Sequence, residues 1–144
     1  MIRLGGCRYA LPMASVAEVC RPSALTRVPG LPPFVAGVAN WRGQVLAVLD
    51  LRGLLQAGAE PLSRRGRLVV LQHAGVRVGL LVEQVTGGVQ LDPAAVEPTL
   101  AHLPESTSGL LAGQVTDTEG PYGLLDLDAV LALAGQLPRA RRAG

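Results

Sequence analysis

The stretch Phe34-Val35-Ala36-Gly37-Val38-Ala39-Asn40-Trp41-Arg42-Gly43-Gln44-Val45-Leu46-Ala47-Val48-Leu49-Asp50-Leu51-Arg52 sets turn-forming Asn40 and Gly43 just ahead of a continuous apolar run at 45–49. An apolar run of strand length bounded by turn residues predicts a strand buried on both faces. Its meaning widens when it is laid against the rest of the chain. Residues 34–55 align without gaps on 110–131 at an offset of 76, with six identities in 22 positions. These pair Ala36 with Ala112, Gly37 with Gly113, Leu49 with Leu125, Asp50 with Asp126, Leu51 with Leu127 and Leu55 with Leu131. A weaker match sets 6–11 on 75–80 at an offset of 69, and after a three-residue gap 16–19 meets 82–85. The chain reads as a duplication of a unit of about 60 residues built from a few short strands. That predicts two small barrels side by side rather than one sandwich.

The remaining segments agree with an all-β chain. Eighteen glycines and eleven prolines separate short Val- and Leu-rich runs, which disfavours long helices. Residues 67–72 and 76–82 are β-branched segments joined by His73-Ala74-Gly75, a hairpin pattern. One short helix is expected at 128–134, opened by Asp128 and closed by Gly135. The 144 residues fit one domain with a sizeable core, 49% hydrophobic and 17% charged. No membrane span is expected. The longest uncharged stretch, 28–41, has 14 residues and three prolines, short of the roughly 20 apolar residues a spanning helix needs. Nothing at the N-terminus has signal-peptide character, so the chain reads as cytoplasmic. Cys7 and Cys20 have no metal-ligand spacing and are expected to be two buried free thiols.

Catalysis finds no foothold. All thirteen basic residues are arginine, so there is no lysine for a Schiff base or a phosphate loop. His73 and His102 each lack a second histidine at i+3 or i+4, and neither a nucleophile elbow nor an HExxH pattern is present. Asp50 and Asp126 are candidates for paired carboxylates, but their equivalent repeat positions, each ending a strand before a short turn, fit capping better than acid–base work. Glu105 and Ser106-Thr107-Ser108 suggest a loop without an assigned role. No cofactor is expected. The net charge of +2 includes Arg139, Arg141 and Arg142 in the tail, leaving a near-neutral body with four aromatics, which is no nucleic-acid footprint.

The opening stretch resembles the central motif of the CheW family: a glycine, then Asn-x-Arg-Gly, then an apolar strand closed by Asp-Leu-Arg. Tyr9-Ala10-Leu11-Pro12, Val16-Ala17-Glu18-Val19, Val28-Pro29, the Pro32-Pro33-Phe34 corner and residues 78–85 follow in family order, so the resemblance covers nearly the whole chain. It implies two five-stranded, SH3-like β-barrel lobes packed together, here about 12–65 and 66–137, with a short C-terminal helix and a basic tail at 138–144. It implies a non-catalytic adaptor that couples the cytoplasmic tip of chemoreceptors to the regulatory domain of the histidine kinase CheA, recruited to receptor arrays at the inner membrane. By position, receptor contacts fall on Val16, Glu18, Gly37, Arg42 and Leu68, with core packing the alternative for Val16 and Leu68, a backbone requirement for Gly37 and a solvated strand charge for Glu18. The alternative within the family is an adaptor of another chemosensory-type pathway, such as surface motility. A reading of a different class is a surface-binding protein whose three tail arginines dock on anionic lipid or nucleic acid, a weak contact at best. Two departures stand out: the chain starts at Met1-Ile2-Arg3-Leu4, so that either the first strand is short or the true start lies upstream, and Trp41 replaces an aliphatic residue, as a partner anchor or a half-buried core ring. For Arg42 the structural alternative is an internal pair with Glu18.

Overall fold

The computed structural model describes residues 1–22, 24–55, 61–98 and 109–134. His102, Glu105, Ser106-Thr107-Ser108, Gly135 and the tail arginines lie outside them. Ten strands follow in order: β1 (Ile2–Leu4), β2 (Cys7–Ala10), β3 (Val16–Cys20), β4 (Val35–Trp41), β5 (Gln44–Leu49), β6 (Arg67–His73), β7 (Val76–Val82), β8 (Gln84–Val85), β9 (Leu111–Asp117) and β10 (Gly120–Leu125). They form two five-stranded sheets, β8-β1-β2-β10-β9 and β3-β6-β7-β5-β4. One helix, α1 (Leu127–Ala134), closes the described chain.

The duplication governs this architecture. β4 and β9 differ by 76 at both ends, as do β5 and β10, and replacing each strand by its counterpart turns one sheet order into the other. The hairpins β1–β2 and β6–β7 are likewise related at an offset of 69. Pairing corrects the gap expected at 16–19: Val16 lies opposite Leu71 and Val85 opposite Ile2, so Val16 matches Val85 at the same offset of 69, with no gap. The sheets also cut across the expected lobes 12–65 and 66–137. β6 and β7 join β3–β5 in a sheet drawn from residues 16–82, while β1 and β2 are completed by β8–β10 from the far end of the sequence. A parallel pairing joins each early hairpin to its late partner, Tyr9 beside Gly123 in one sheet and Gly79 beside Val48 in the other.

The Ala-Gly identities have a steric cause. Ala36 is an extra residue between the pairs Val35–Leu49 and Gly37–Val48, and Ala112 stands likewise between Leu111–Leu125 and Gly113–Leu124. Past each bulge the incoming segment bonds to the edge strand: Thr26 N and O to Val38 at 2.9 Å each, and Glu97 to Gln114 at 2.8 and 2.9 Å. A Cβ on Gly37 would sit 2.7 Å from Thr26 O, and one on Gly113 would sit 3.0 Å from Glu97 O. Only glycine admits the approaching backbone.

The two sheets and α1 share one apolar core, with Ile2, Leu4, Leu49, Leu71, Leu80 and Val130 at its centre. A smaller cluster of Ala39, Val48, Leu68 and Leu81 lies on the other face of the second sheet, so β6 and β7 are buried on both faces. β5 is only partly so. Leu46, Val48 and Leu49 are buried, but Val45 is 59% exposed because its end of the strand forms the hairpin tip. The short β1 lies between β8 and β2 with Ile2 and Leu4 buried. Asp126, not Asp128, caps the helix, its Oδ1 accepting from Ala129 N at 3.3 Å; Asp128 instead meets His73 Nε2 at 2.9 Å, tying α1 to β6. No described helix is long and apolar enough to cross a membrane.

Candidate functional site

Asn40-Trp41-Arg42-Gly43 forms the tip of the β4–β5 hairpin. Arg42 and Gly43 take φ of 51° and 79°, the two left-handed positions of a two-residue turn. Asn40 Oδ1 accepts from Gly43 N at 3.0 Å and holds it closed. A left-handed conformation costs a non-glycine residue about 1–2 kcal/mol, so Arg42 occupies a position where its side chain is conformationally unwelcome. That side chain is 71% exposed and reaches Glu18 on β3, Nη2 to Oε1 at 2.5 Å. β3 and β4 are the opposite edges of one sheet, so the sheet curls enough to bring its two rims within ion-pair reach.

Trp41 lies beneath two guanidinium groups, Arg42 at 5.0 Å and Arg77 at 5.1 Å from the ring centroid. Arg77 also donates to Gln72 Oε1 through Nε at 3.3 Å and Nη2 at 2.9 Å, and through Nη1 to Gln44 Oε1. Trp41 Nε1 is buried without a hydrogen-bond partner. The tip is therefore an exposed aromatic–arginine cluster with one carboxylate, Glu18, at its side.

Of the five sequence-expected contact residues, the fold brings Glu18 and Arg42 together and separates the rest. The register shift between Val16 and Glu18 sends Val16 toward the shared core, where it lines a cavity of about 490 Å³ between the sheets with Met13, Val89, Leu91 and Leu124. Met13, Val89 and Leu91 are exposed apolar side chains at 78%, 51% and 40%. Gly37 is buried beneath Thr26, and Leu68, 2% exposed, packs with Ala39, Val48 and Leu81. The internal pair weighed for Arg42 thus exists, but on the surface, where such a pair contributes about 0–1 kcal/mol.

Sequence reasoning missed Arg77. The signal was present, because Arg8 and Arg77 coincide in the match at an offset of 69. The expectation of two buried thiols fails as well. Cys7 is exposed; Cys20 is half-buried, donates to Leu68 O at 3.7 Å and has its pKa pushed up, first by burial and then by Glu18. Asp50 is structural: its Oδ1 accepts from Arg52 N at 3.1 Å and its Oδ2 pairs with Arg52 Nη2 at 2.9 Å. Buried Arg52 also reaches Glu83, whose Oε1 accepts from Gly6 N, linking the two sheets. Among the described residues no three of His, Cys, Asp and Glu gather as a metal site.

The family description "CheW-like domain" matches residues 1–135. The chain is 40% identical to Protein PilI of Pseudomonas aeruginosa over 85 residues, 59% of this chain and 48% of that protein. It is 31% identical to Protein FrzA of Myxococcus xanthus over 140 residues, 96% of this chain and 88% of that one. It thus spans about half the length of the first of these relatives. The scaffolding protein TtCheW of Thermoanaerobacter tengcongensis has the same fold, with a TM-score of 0.80 and 24% identity over 88% of this chain and 81% of the other. By motif, duplicated sheets and sequence similarity, this chain belongs to the CheW-like domain family.

Proposed function

We propose that this chain is a non-catalytic cytoplasmic adaptor, coupling the tips of chemoreceptors to the regulatory domain of the CheA histidine kinase at receptor arrays. The observation that carries the reading is Arg42: a charged side chain kept at a left-handed hairpin position, 71% exposed, and steadied by Glu18. Strain retained at an exposed tip without a folding benefit points to a partner. Glu18 and Arg42 supply the polar contact and Val16 the apolar one at the cavity between the sheets, while Gly37 and Leu68 act from behind by shaping β4 and β6. Such an adaptor needs only a coupling free energy of about 1–3 kcal/mol between receptor and kinase sites.

The scaffold for this role is a pair of SH3-like barrels acting as one domain. In each sheet the segment after one edge strand returns to bond the opposite edge, at Thr26–Val38 and Glu97–Gln114, and the Glu18–Arg42 pair spans the same gap. The identity to PilI and FrzA supports a second reading, an adaptor of another chemosensory-type pathway such as surface motility. A pull-down from the native cytoplasm, read by mass spectrometry, separates the two by the kinase and receptor recovered. Recovery of neither kind of partner would overturn both.

The decisive variant is Arg42→Glu, measured for thermal unfolding and for binding to a receptor hairpin-tip fragment. Loss of an exposed pair moves stability by about 0–1 kcal/mol, whereas loss of a charged contact buried against a partner weakens binding tenfold or more. A melting midpoint near wild type with binding lost is the expected result. Unchanged binding sinks the reading.

A further inference from the structure

The duplication supplies an internal control for the hairpin tip. Arg77 on β7 stands where Arg8 stands on β2, and Trp41 at the end of β4 stands where Asp117 ends β9. In the first sheet Arg8 is satisfied by anions: Nη1 donates to Asp117 at 3.0 Å and Glu119 at 3.2 Å, and Nη2 to Asp117 at 2.7 Å and Gly120 O at 2.8 Å. It is 9% exposed and lies 5.2 Å from the Tyr122 ring. In the second sheet the carboxylate's place is taken by an indole. Arg77 keeps an aromatic neighbour but meets only the neutral carbonyls of Gln72 and Gln44. A guanidinium carries five N–H donors, and three hydrogen bonds leave two of them without a protein acceptor among the described residues. Arg42 adds a second positive charge over the same ring, and among the described residues Glu18, bonded to Arg42, is the single carboxylate paired there.

An arginine fork held over an aromatic ring is ready for a bidentate carboxylate, because the ring limits the rotamer freedom that binding would otherwise remove. We infer that Arg77, backed by Trp41, is a further partner-binding residue. It takes a carboxylate from the receptor hairpin tip and so fills the place that Asp117 fills on Arg8 within the molecule. The inference rests on the receptor-coupling reading above and extends that contact from Arg42 across the indole to the neighbouring hairpin. It also gives Trp41 a role: an indole stands where the other sheet has its internal carboxylate, which leaves the site open to an external one.

The test measures the affinity of a receptor hairpin-tip fragment for the wild type, Arg42→Glu, Arg77→Gln and Arg77→Lys, with the melting midpoint of each. Arg77→Gln is expected to weaken binding about tenfold or more, and Arg77→Lys to restore only part of it, since an ammonium keeps the charge but loses the fork. Both midpoints should stay near wild type. Arg77→Glu, tested against fragments in which each Asp or Glu is changed in turn to Arg, should regain binding at one position. Wild-type affinity in Arg77→Gln beside weakened Arg42→Glu overturns this inference and leaves the coupling reading standing. Wild-type affinity in both variants overturns the coupling reading itself. A midpoint that falls in both Arg77 variants shows a structural arginine and also overturns the inference.

Discussion

Arg42 and Ala74 are the two non-glycine residues at positive φ among the described residues, both at 51° and both followed by a left-handed glycine. They adopt the same turn with different consequences. Ala74 gains nothing from its position, so Ala74→Asn, which completes the favoured Asn-Gly pair, should raise stability by about 0.5–1 kcal/mol in denaturant titration. Arg42 presents its side chain at the same cost. Trp41 offers a sharper contrast, because its ring is packed by two guanidiniums while its Nε1 is buried and unbonded. Trp41→Phe keeps most of the ring and removes the orphan donor, so it should leave stability unchanged or raise it by about 1 kcal/mol. Trp41→Ala should lower it, but by less than the about 3–5 kcal/mol that a fully buried aromatic costs, because the ring is half-buried. At this scale the sequence shows residue types and turn positions, and it offers the Glu18–Arg42 pair only as one of two alternatives for Arg42. Glu18 and Arg42 are 24 residues apart, and only the curl of the sheet brings them together.

The strands of the duplicated segment are legible in the sequence, because 34–55 and 110–131 share the Leu-Asp-Leu that closes the strand and the Ala-Gly of the bulge that precedes it. The alanine and glycine of that bulge could be aligned from sequence, but their reason lies in Thr26 and Glu97, which no local pattern connects to them. Gly37→Ala drives a Cβ to 2.7 Å from Thr26 O at a φ of 154°, and overpacking of this kind costs about 1–3 kcal/mol. Circular dichroism melts should show that loss for Gly37→Ala and a comparable one for Gly113→Ala; two neutral substitutions would remove the close-approach explanation. The helix was placed correctly and its cap misplaced by two residues. Asp126 and Asp128 are both good N-cap types, and the repeat with Asp50 was the better guide. Asp126→Ala should therefore cost about 0.5–2 kcal/mol.

Across the whole molecule, sequence pointed to two equivalent halves but not to their exchange of hairpins, since neither parallel junction, Tyr9 with Gly123 or Val48 with Gly79, leaves a periodic trace. The Arg8–Asp117 contact fastens one such junction, joining the second strand to the tip of the last hairpin. Hydrogen bonds from Arg8 are the first cause holding the Asp117 carboxyl below its ordinary pKa of 3.8. A folded-state value below the unfolded one contributes stability that is complete above the unfolded pKa and is lost as pH falls through the folded one. Wild type and Asp117→Asn should accordingly differ in melting midpoint at neutral pH and converge in acid, below about pH 4; curves that stay parallel would exclude the carboxylate as the source. The hairpin exchange also bears on how the chain is made. A ribosome releases residues 16–82 as a run whose five strands can pair at once. The first hairpin, synthesised earlier, can take up β8 on its β1 rim but must wait with its β2 rim open until β10 emerges. Long-range pairing of this kind is slow and exposed to misassembly, so a nascent chain stalled before residue 111 should hold one finished sheet and a protease-sensitive, chaperone-bound leading hairpin.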